Sequence, residues 1–153
     1  MATIGMSVLV LWFFWSAGIF PFNGLPRANA RLPLARYNRR VQRSRYAISV
    51  TDIEGRFVSV NDKKVRYLGL SRQREVLGHF PWDFAPPSQP TDEVSFVAGM
   101  KQINFAREGE QPVFDWVLND RHGQQFTIQV ALQPIELAEG TYVRAVAKPK
   151  RAD

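Results

Sequence analysis

Few residues in this sequence are of types that carry chemistry by themselves. The chain of 153 residues has no cysteine, which excludes disulfides, thiolate metal sites and cysteine nucleophiles. Its two histidines, His79 and His122, lack metal-ligand spacing and are expected to be solvent-facing loop residues. Asp115 is an isolated acid on a predicted strand and is expected to face solvent. Since no Ser–His–Asp set, carboxylate pair, phosphate-binding glycine loop or metal-ligand motif is visible in the sequence, it does not predict an enzyme.

Charge is distributed unevenly along the chain, whose net charge is +6. Residues 1–51 contain no Asp or Glu, but they contain seven arginines, all between positions 27 and 45. Residues 52–153 carry 13 basic and 14 acidic side chains. Because the excess charge belongs to the leading segment, it gives little support for nucleic-acid binding by the globular part.

The leading segment combines an apolar run with the arginines that follow it. Residues 4–22 are uncharged and long enough, as a hydrophobic helix, to cross a bilayer. We therefore expect residues 1–26 to be a membrane anchor or signal, with the Arg-rich linker of residues 27–45 keeping the following domain cytoplasmic. Cleavage at Ala28-Asn29-Ala30 would instead give a secreted or periplasmic protein, and a misassigned start is a third alternative. The linker arginines suit anionic lipid better than nucleic acid.

The first half of the globular part predicts a hairpin and short helices. Residues 46–51 alternate apolar and polar side chains, and residues 57–60 predict a second strand after a turn that contains Gly55. Residues 62–68 and 72–77 predict short helices, the second capped by Ser71, and residues 82–85 predict a helical turn within a proline-rich loop.

The second half predicts a long helix followed by three strands. Thr91 is the predicted N-cap of a helix over residues 91–108, in which Phe96, Met100 and Ile103 recur at helical spacing. Strands are predicted at residues 114–118, 126–132 and 142–147. Five mostly antiparallel strands with the helices inserted as one block indicate the α+β class, with one sheet and helices on one face.

Residues 46–148 resemble the PAS family, and residues 149–153 are a polar tail. The resemblance implies a PAS-like five-stranded antiparallel sheet, and a module for signal transduction. The features that carry it are, in order, Asp52-Ile53-Glu54-Gly55, Asn61 at the end of a strand, Tyr67-Leu68-Gly69-Leu70-Ser71, Val76-Leu77-Gly78, Asp83-Phe84-Ala85-Pro86-Pro87, Gly109-Glu110-Gln111, Phe114-Asp115-Trp116, Asp120-Arg121-His122-Gly123 and Gln133-Pro134-Ile135.

The resemblance implies a sensor that binds a small ligand or a protein partner and regulates a separate or missing effector: a kinase, cyclase or transcription regulator. A ligand-free dimerisation module is the alternative, and a homodimer or an effector complex fits either. The family's pocket lies between the long helix and the sheet, and its candidate lining here is Phe96, Met100, Ile103, Asn104, Trp116, Ile128 and Val130. Asn61 is expected to make structural hydrogen bonds at the end of its strand.

Two departures from the family pattern stand at the ends of the domain. The apolar helix that leads into the first strand is replaced by the arginine-rich residues 39–45, which suggests that this helix is missing. The signature that passes the signal onward is absent from residues 146–150.

The resemblance also allows cofactors to be screened. Photochemistry through a flavin adduct or a covalent cinnamoyl chromophore needs a cysteine and is excluded. Haem is disfavoured, because His79 and His122 lie outside the predicted pocket and Met100 is expected in the core. The cofactor therefore stays unknown. A small α+β barrel enzyme, which needs an inward acid–base pair, and an arginine-driven nucleic-acid binder have less support.

Overall fold

The computed structural model describes residues 31–150, and the predicted apolar helix at residues 4–22 lies outside this range. None of the helices within it has the length and apolar character to cross a membrane. The elements in chain order are α1 (Leu34–Arg43), β1 (Ala47–Thr51), β2 (Phe57–Val60), α2 (Asp62–Tyr67), two 3-10 turns (Gln73–Glu75 and Pro81–Phe84), α3 (Ser95–Arg107), β3 (Val113–Asn119), β4 (Gln125–Leu137) and β5 (Gly140–Pro149).

The five strands of residues 31–150 form one antiparallel sheet in the order β2-β1-β5-β4-β3. The first and last strands pair, with Ala47 opposite Ala147, so the two ends of the domain meet at the centre of the sheet. A bulge places Val58 as an extra residue in β2, because Val50 pairs with Ser59 while Thr51 pairs with Phe57. The α+β class and the predicted five-stranded antiparallel sheet are confirmed.

The front face of the sheet carries α2, α3 and the larger core. Ala98, Gly99 and Ala106 are small residues on the buried side of α3, and they let this helix approach the strands closely. Burial of the apolar side chains between helices and strands is the main stabilising contribution to the domain. The buried members of this core include Phe57, Val60, Val65, Leu68, Val76, Ile103, Trp116, Leu118, Ile128, Val130, Leu132, Val143 and Ala145.

The first residue of α3 and the side of the helix that is buried differ from the sequence prediction. The helix begins at Ser95 and not after Thr91, because Asp92 has a left-handed φ of 67° and cannot continue a helix. The Ser95 hydroxyl donates to the Pro86 carbonyl oxygen at 2.5 Å, which fixes the preceding loop. Phe96 is 53% exposed, so the inward face consists of small residues and Ile103 instead of the predicted large ones.

Helix α1 corrects the expectation that the helix before the first strand is missing. Tyr37 and Val41 are fully buried against the back of the sheet, where Ile48 and Ile135 are their neighbours in one apolar cluster. The Glu139 carboxylate accepts a hydrogen bond from the first backbone N–H of the helix, that of Leu34, at 2.8 Å, which suits the positive end of a helix dipole. The outer side of α1 carries the exposed arginines Arg36, Arg39, Arg40 and Arg43.

Asn61 makes the structural hydrogen bonds predicted for it. This side chain is 2% exposed and lies between β2 and α2. Its Oδ1 accepts from the backbone N–H groups of Ile48 and Lys64, each at 3.1 Å. Its Nδ2 donates to the carbonyl oxygens of Val41, at 3.2 Å, and Tyr46, at 2.7 Å. One amide therefore joins α1, β1 and α2.

Candidate ligand-binding site

A cavity of about 50 Å³ lies between α3 and the front of the sheet. Its walls are mostly apolar, as they are in small-molecule sites. Four of the predicted pocket residues line it: Ile103, Trp116, Ile128 and Val130. The remaining lining residues are Ser49, Thr51, Phe57, Lys64, Leu68, Pro81, Gly99, Phe114, Leu118, Leu132 and Ala145.

The structure places three predicted pocket residues elsewhere. Phe96 and Met100 line a separate depression on the outer side of α3, together with Trp82. Asn104 is exposed, and its Oδ1 accepts a hydrogen bond from Arg107 Nη1 at 3.3 Å. These positions follow from the phase of α3, which turns Gly99 and Ile103 toward the sheet.

Three buried polar atoms in the cavity wall have no hydrogen-bond partner among residues 31–150. They are the Ser49 hydroxyl, the Thr51 hydroxyl and the Trp116 Nε1, on residues that are 1%, 4% and 5% exposed. Buried polar groups are nearly always hydrogen-bonded, so three exceptions in one cavity call for an explanation, such as a bound ligand or water molecule. Ser49 and Thr51 share one face of β1, which the sequence alone describes only as its polar face.

Lys64 is the one charged residue in the wall of this cavity. Lys64 is 4% exposed as a whole residue. Its ammonium makes no ion pair or hydrogen bond with any residue between 31 and 150. Burial lowers the pKa of Lys64 to about 8, because the charged form loses its hydration. The sequence analysis missed this residue, although Lys64 lies in α2, four positions before Leu68, the buried C-cap residue of that helix.

Trp82 lies beside the cavity on the outer side of α3, and Pro81 of the same turn lines the cavity itself. Its ring packs between two glycines: a Cβ on Gly55 would lie 2.7 Å from Trp82 Cη2, and a Cβ on Gly99 would lie 2.9 Å from Trp82 Cε3. The ring stacks on Phe80 at 5.0 Å and meets Phe96 edge-on, also at 5.0 Å between centroids. The 3-10 turn that carries Trp82 is therefore one wall of the cavity and also reaches the outer surface of α3.

The two histidines lie apart from the cavity. His79 and His122 are both exposed, and neither is among the cavity-lining residues. His79 Nδ1 is 3.6 Å from Asp83 Oδ2 on the surface. Within residues 31–150, no three metal-ligating side chains are grouped as a metal site would need.

No family model matches this chain, and no curated protein matches it significantly. Solved structures do match. The PAS domain of an HTR-like protein from Haloarcula marismortui has a TM-score of 0.59 and 22% sequence identity, over 76% of this chain and 96% of that one. A PAS domain from a two-component sensor histidine kinase gives 0.59 and 17%, over 76% and 95%. A LOV protein of Rhodobacter sphaeroides gives 0.58 and 16%, over 72% and 63%.

These likenesses agree with the order and pairing of the strands in the sheet. The cavity also lies between the long helix and the sheet, where the resemblance of the sequence placed a ligand pocket. At identities of 14–22% the comparisons establish the fold. Residues 31–150 therefore contain a PAS-like domain, and α1 packs on the back of its sheet.

Proposed function

We propose that this protein is a PAS-type sensory and signal-transduction module, which binds a small ligand in the cavity between α3 and the sheet. The ligand would regulate an effector, a kinase, cyclase or transcription regulator, that belongs to another protein or to a further part of the same one. The observation that carries the proposal is the cluster of buried polar groups without protein partners in the cavity wall. In a plain core such groups would be paired or replaced by apolar ones, since each costs about 1–3 kcal/mol when unsatisfied.

A route from the cavity to the surface supports a signalling role. Trp82 contacts the position of Gly99 on the cavity side and the ring of Phe96 on the outer side of α3. A ligand that shifts Gly99 or Pro81, which line the cavity, would therefore move Trp82 and change the surface around Phe96. Displacement of one aromatic side chain by a ligand is a local packing event of the kind that switches use.

Self-association through α3 is a second candidate function, and it corresponds to a dimerisation module. Val94, Phe96 and Val97 are 54%, 53% and 52% exposed and lie side by side at the start of α3. A second copy of this chain is the occupant that we propose for this patch, because a two-fold interface needs only one self-complementary surface. Replacement of Phe96 with serine should shift the protein toward monomer in sedimentation equilibrium. An unchanged dimer, or a monomeric wild type, would exclude α3 as the interface.

Attachment to a membrane is a further part of the proposal and is supported by the sequence. Residues 4–22 would form the anchor, and the domain would remain cytoplasmic because of the arginines that follow. The exposed arginines of α1 would add to the attraction for anionic lipid. Protease treatment of intact and opened cells tests the orientation. A mature N-terminus just after Ala30 would show instead that the segment is a cleaved signal.

The ligand-binding role can be tested without knowing the ligand. The full chain would be purified from cells with no ligand added and measured by native mass spectrometry. We expect an additional mass that is lost when the protein is unfolded. A bare mass in every charge state, especially of a dimer, would contradict the sensor proposal and favour the ligand-free dimerisation module.

A further inference from the structure

We infer that the cavity binds a small carboxylate, held by the Lys64 ammonium and by the hydroxyl groups of Ser49 and Thr51. The inference rests on the proposed function, because it names the class of ligand for the same site. It concerns residues that the sequence analysis did not select.

The sign of the charge in the cavity indicates an anion. Lys64 brings a positive charge, and none of the residues that line the cavity is acidic. A cation in a mostly apolar wall without an opposite charge is costly, and a bound anion would offset that cost. A carboxylate would supply both the missing charge and the acceptors, and the resulting hydrogen bonds would be charge-assisted.

The other polar groups in the wall agree with a ligand that accepts hydrogen bonds. The hydroxyls of Ser49 and Thr51 can donate, and the Trp116 indole N–H can only donate. Together with Lys64, the wall therefore presents donors to the cavity from α2, β1 and β3. A ligand amine would meet a like charge here, and a ligand hydroxyl would leave the charge of Lys64 unbalanced.

The size and the remaining walls of the cavity restrict the ligand further. The volume of about 50 Å³ has room for only a few non-hydrogen atoms, since about 10–15 Å³ of this kind of volume is needed to hold one water. Ile128, Val130 and Leu132 make the floor apolar, which suits a short alkyl group. One cation matches one negative charge, so a short monocarboxylate fits better than a dicarboxylate.

Isothermal titration calorimetry on the full chain tests the inference with propionate and its neutral isostere propionamide. We expect propionate to bind at least about tenfold more tightly, since a hydrogen bond to a charged group is worth about 1.5–3 kcal/mol. Lys64→Met should abolish this preference, and Thr51→Val should reduce it. The matched control is Lys63→Met, which removes the same charge from the neighbouring residue, whose ammonium donates instead to the Arg45 carbonyl oxygen at 2.9 Å.

Three other results of the titration would overturn the carboxylate inference. Equal affinity for the acid and the amide, or unchanged propionate binding by a folded Lys64→Met variant, would overturn the carboxylate inference and leave a neutral-ligand sensor standing. Failure of both compounds to bind the wild-type protein would overturn it too. In that case the mass spectrometry described above decides separately whether the cavity holds any ligand.

Discussion

Replacement of Lys64 with methionine should stabilise the domain in the absence of ligand. Methionine has a similar length and no charge, so the cavity wall stays filled while the desolvated ammonium is removed. The lowering of the Lys64 pKa from 10.5 to about 8 corresponds to about 3.5 kcal/mol, at about 1.4 kcal/mol per unit. We therefore expect the free energy of unfolding at neutral pH to rise by up to about 3.5 kcal/mol in the variant.

The direction of the Lys64 pKa shift determines how the stability difference between the wild type and the variant changes with pH. Below about pH 8 Lys64 is protonated in both the folded and the unfolded state, so the folded wild type carries the whole penalty. Between about pH 8 and 10.5 the unfolded state binds more protons than the folded one, and wild-type stability rises with pH. The advantage of the variant should therefore be complete at neutral pH and disappear above the upper end of this window.

Urea unfolding of the wild type, Lys64→Met and the control Lys63→Met, at several pH values across this window, measures the effect. Only the difference between variants is interpreted, because other groups titrate equally in each protein. Lys63→Met should remain within about 0.5 kcal/mol of the wild type, as surface substitutions usually do. A Lys64→Met variant less stable than the wild type at neutral pH, or a difference that does not change with pH, would refute the reasoning.

Three further predictions concern the same region. Asn61→Ala should lower stability by about 2–4 kcal/mol in urea unfolding, because the buried N–H groups of Ile48 and Lys64 lose their acceptor. Gly99→Ala should push the Trp82 ring outward, since the added Cβ would lie 2.9 Å from it, and should shift its fluorescence to longer wavelength. Propionate binding at about pH 8 should take up about half a proton, because a bound anion returns Lys64 to its charged form.

The controls for these predictions are available within the chain. Asn104→Ala removes an exposed amide and should leave stability nearly unchanged, so an equal loss in both variants would contradict the role given to Asn61. The emission of Trp82 is assigned by comparison with Trp82→Phe, and an unshifted spectrum in Gly99→Ala would mean that the ring has room to adjust in place. Proton uptake is read from the heat of binding in buffers of different ionisation enthalpy, and heat that is independent of the buffer would contradict it.

The sheet could be predicted from the sequence because its strands alternate apolar and polar residues. The first two strands were placed to within a residue at each end, and Gly55 in their turn has the left-handed φ of 95° that favours glycine. β4 runs on to Leu137, beyond the predicted end, because it continues to pair with β5 through Pro134. A sequence pattern predicts the end of a strand where polar or proline residues appear. In the folded protein, a strand ends where its backbone stops pairing with the neighbouring strand.

Helix α1 could not be recognised in the same way, since four of its ten residues are arginines. Leu34, Tyr37 and Val41 do have helical spacing, but this signal depends on a sheet face that only the folded chain provides. The face of α3 that is buried could not be predicted either, for the opposite reason. Its large apolar residues suggest a buried face, but the ring of Trp82, from a distant loop, occupies the space beside Gly99 and selects the small residues instead. Lys64 was overlooked because a lysine in a charged helix is normally solvated.

The four hydrogen bonds of Asn61 provide a path by which a displacement beside the cavity could be transmitted to α1. The same amide group holds the backbone of Lys64, beside the cavity, and the last turn of α1, at Val41, on the opposite face of the sheet. A displacement of α2 on ligand capture would therefore reach α1 through this side chain, which also holds the backbone of Ile48 in β1. Because α1 follows residues 1–30, this linkage leads toward the N-terminal segment. The output of such a domain would then be mechanical tension on its leading helix, transmitted upstream along the chain.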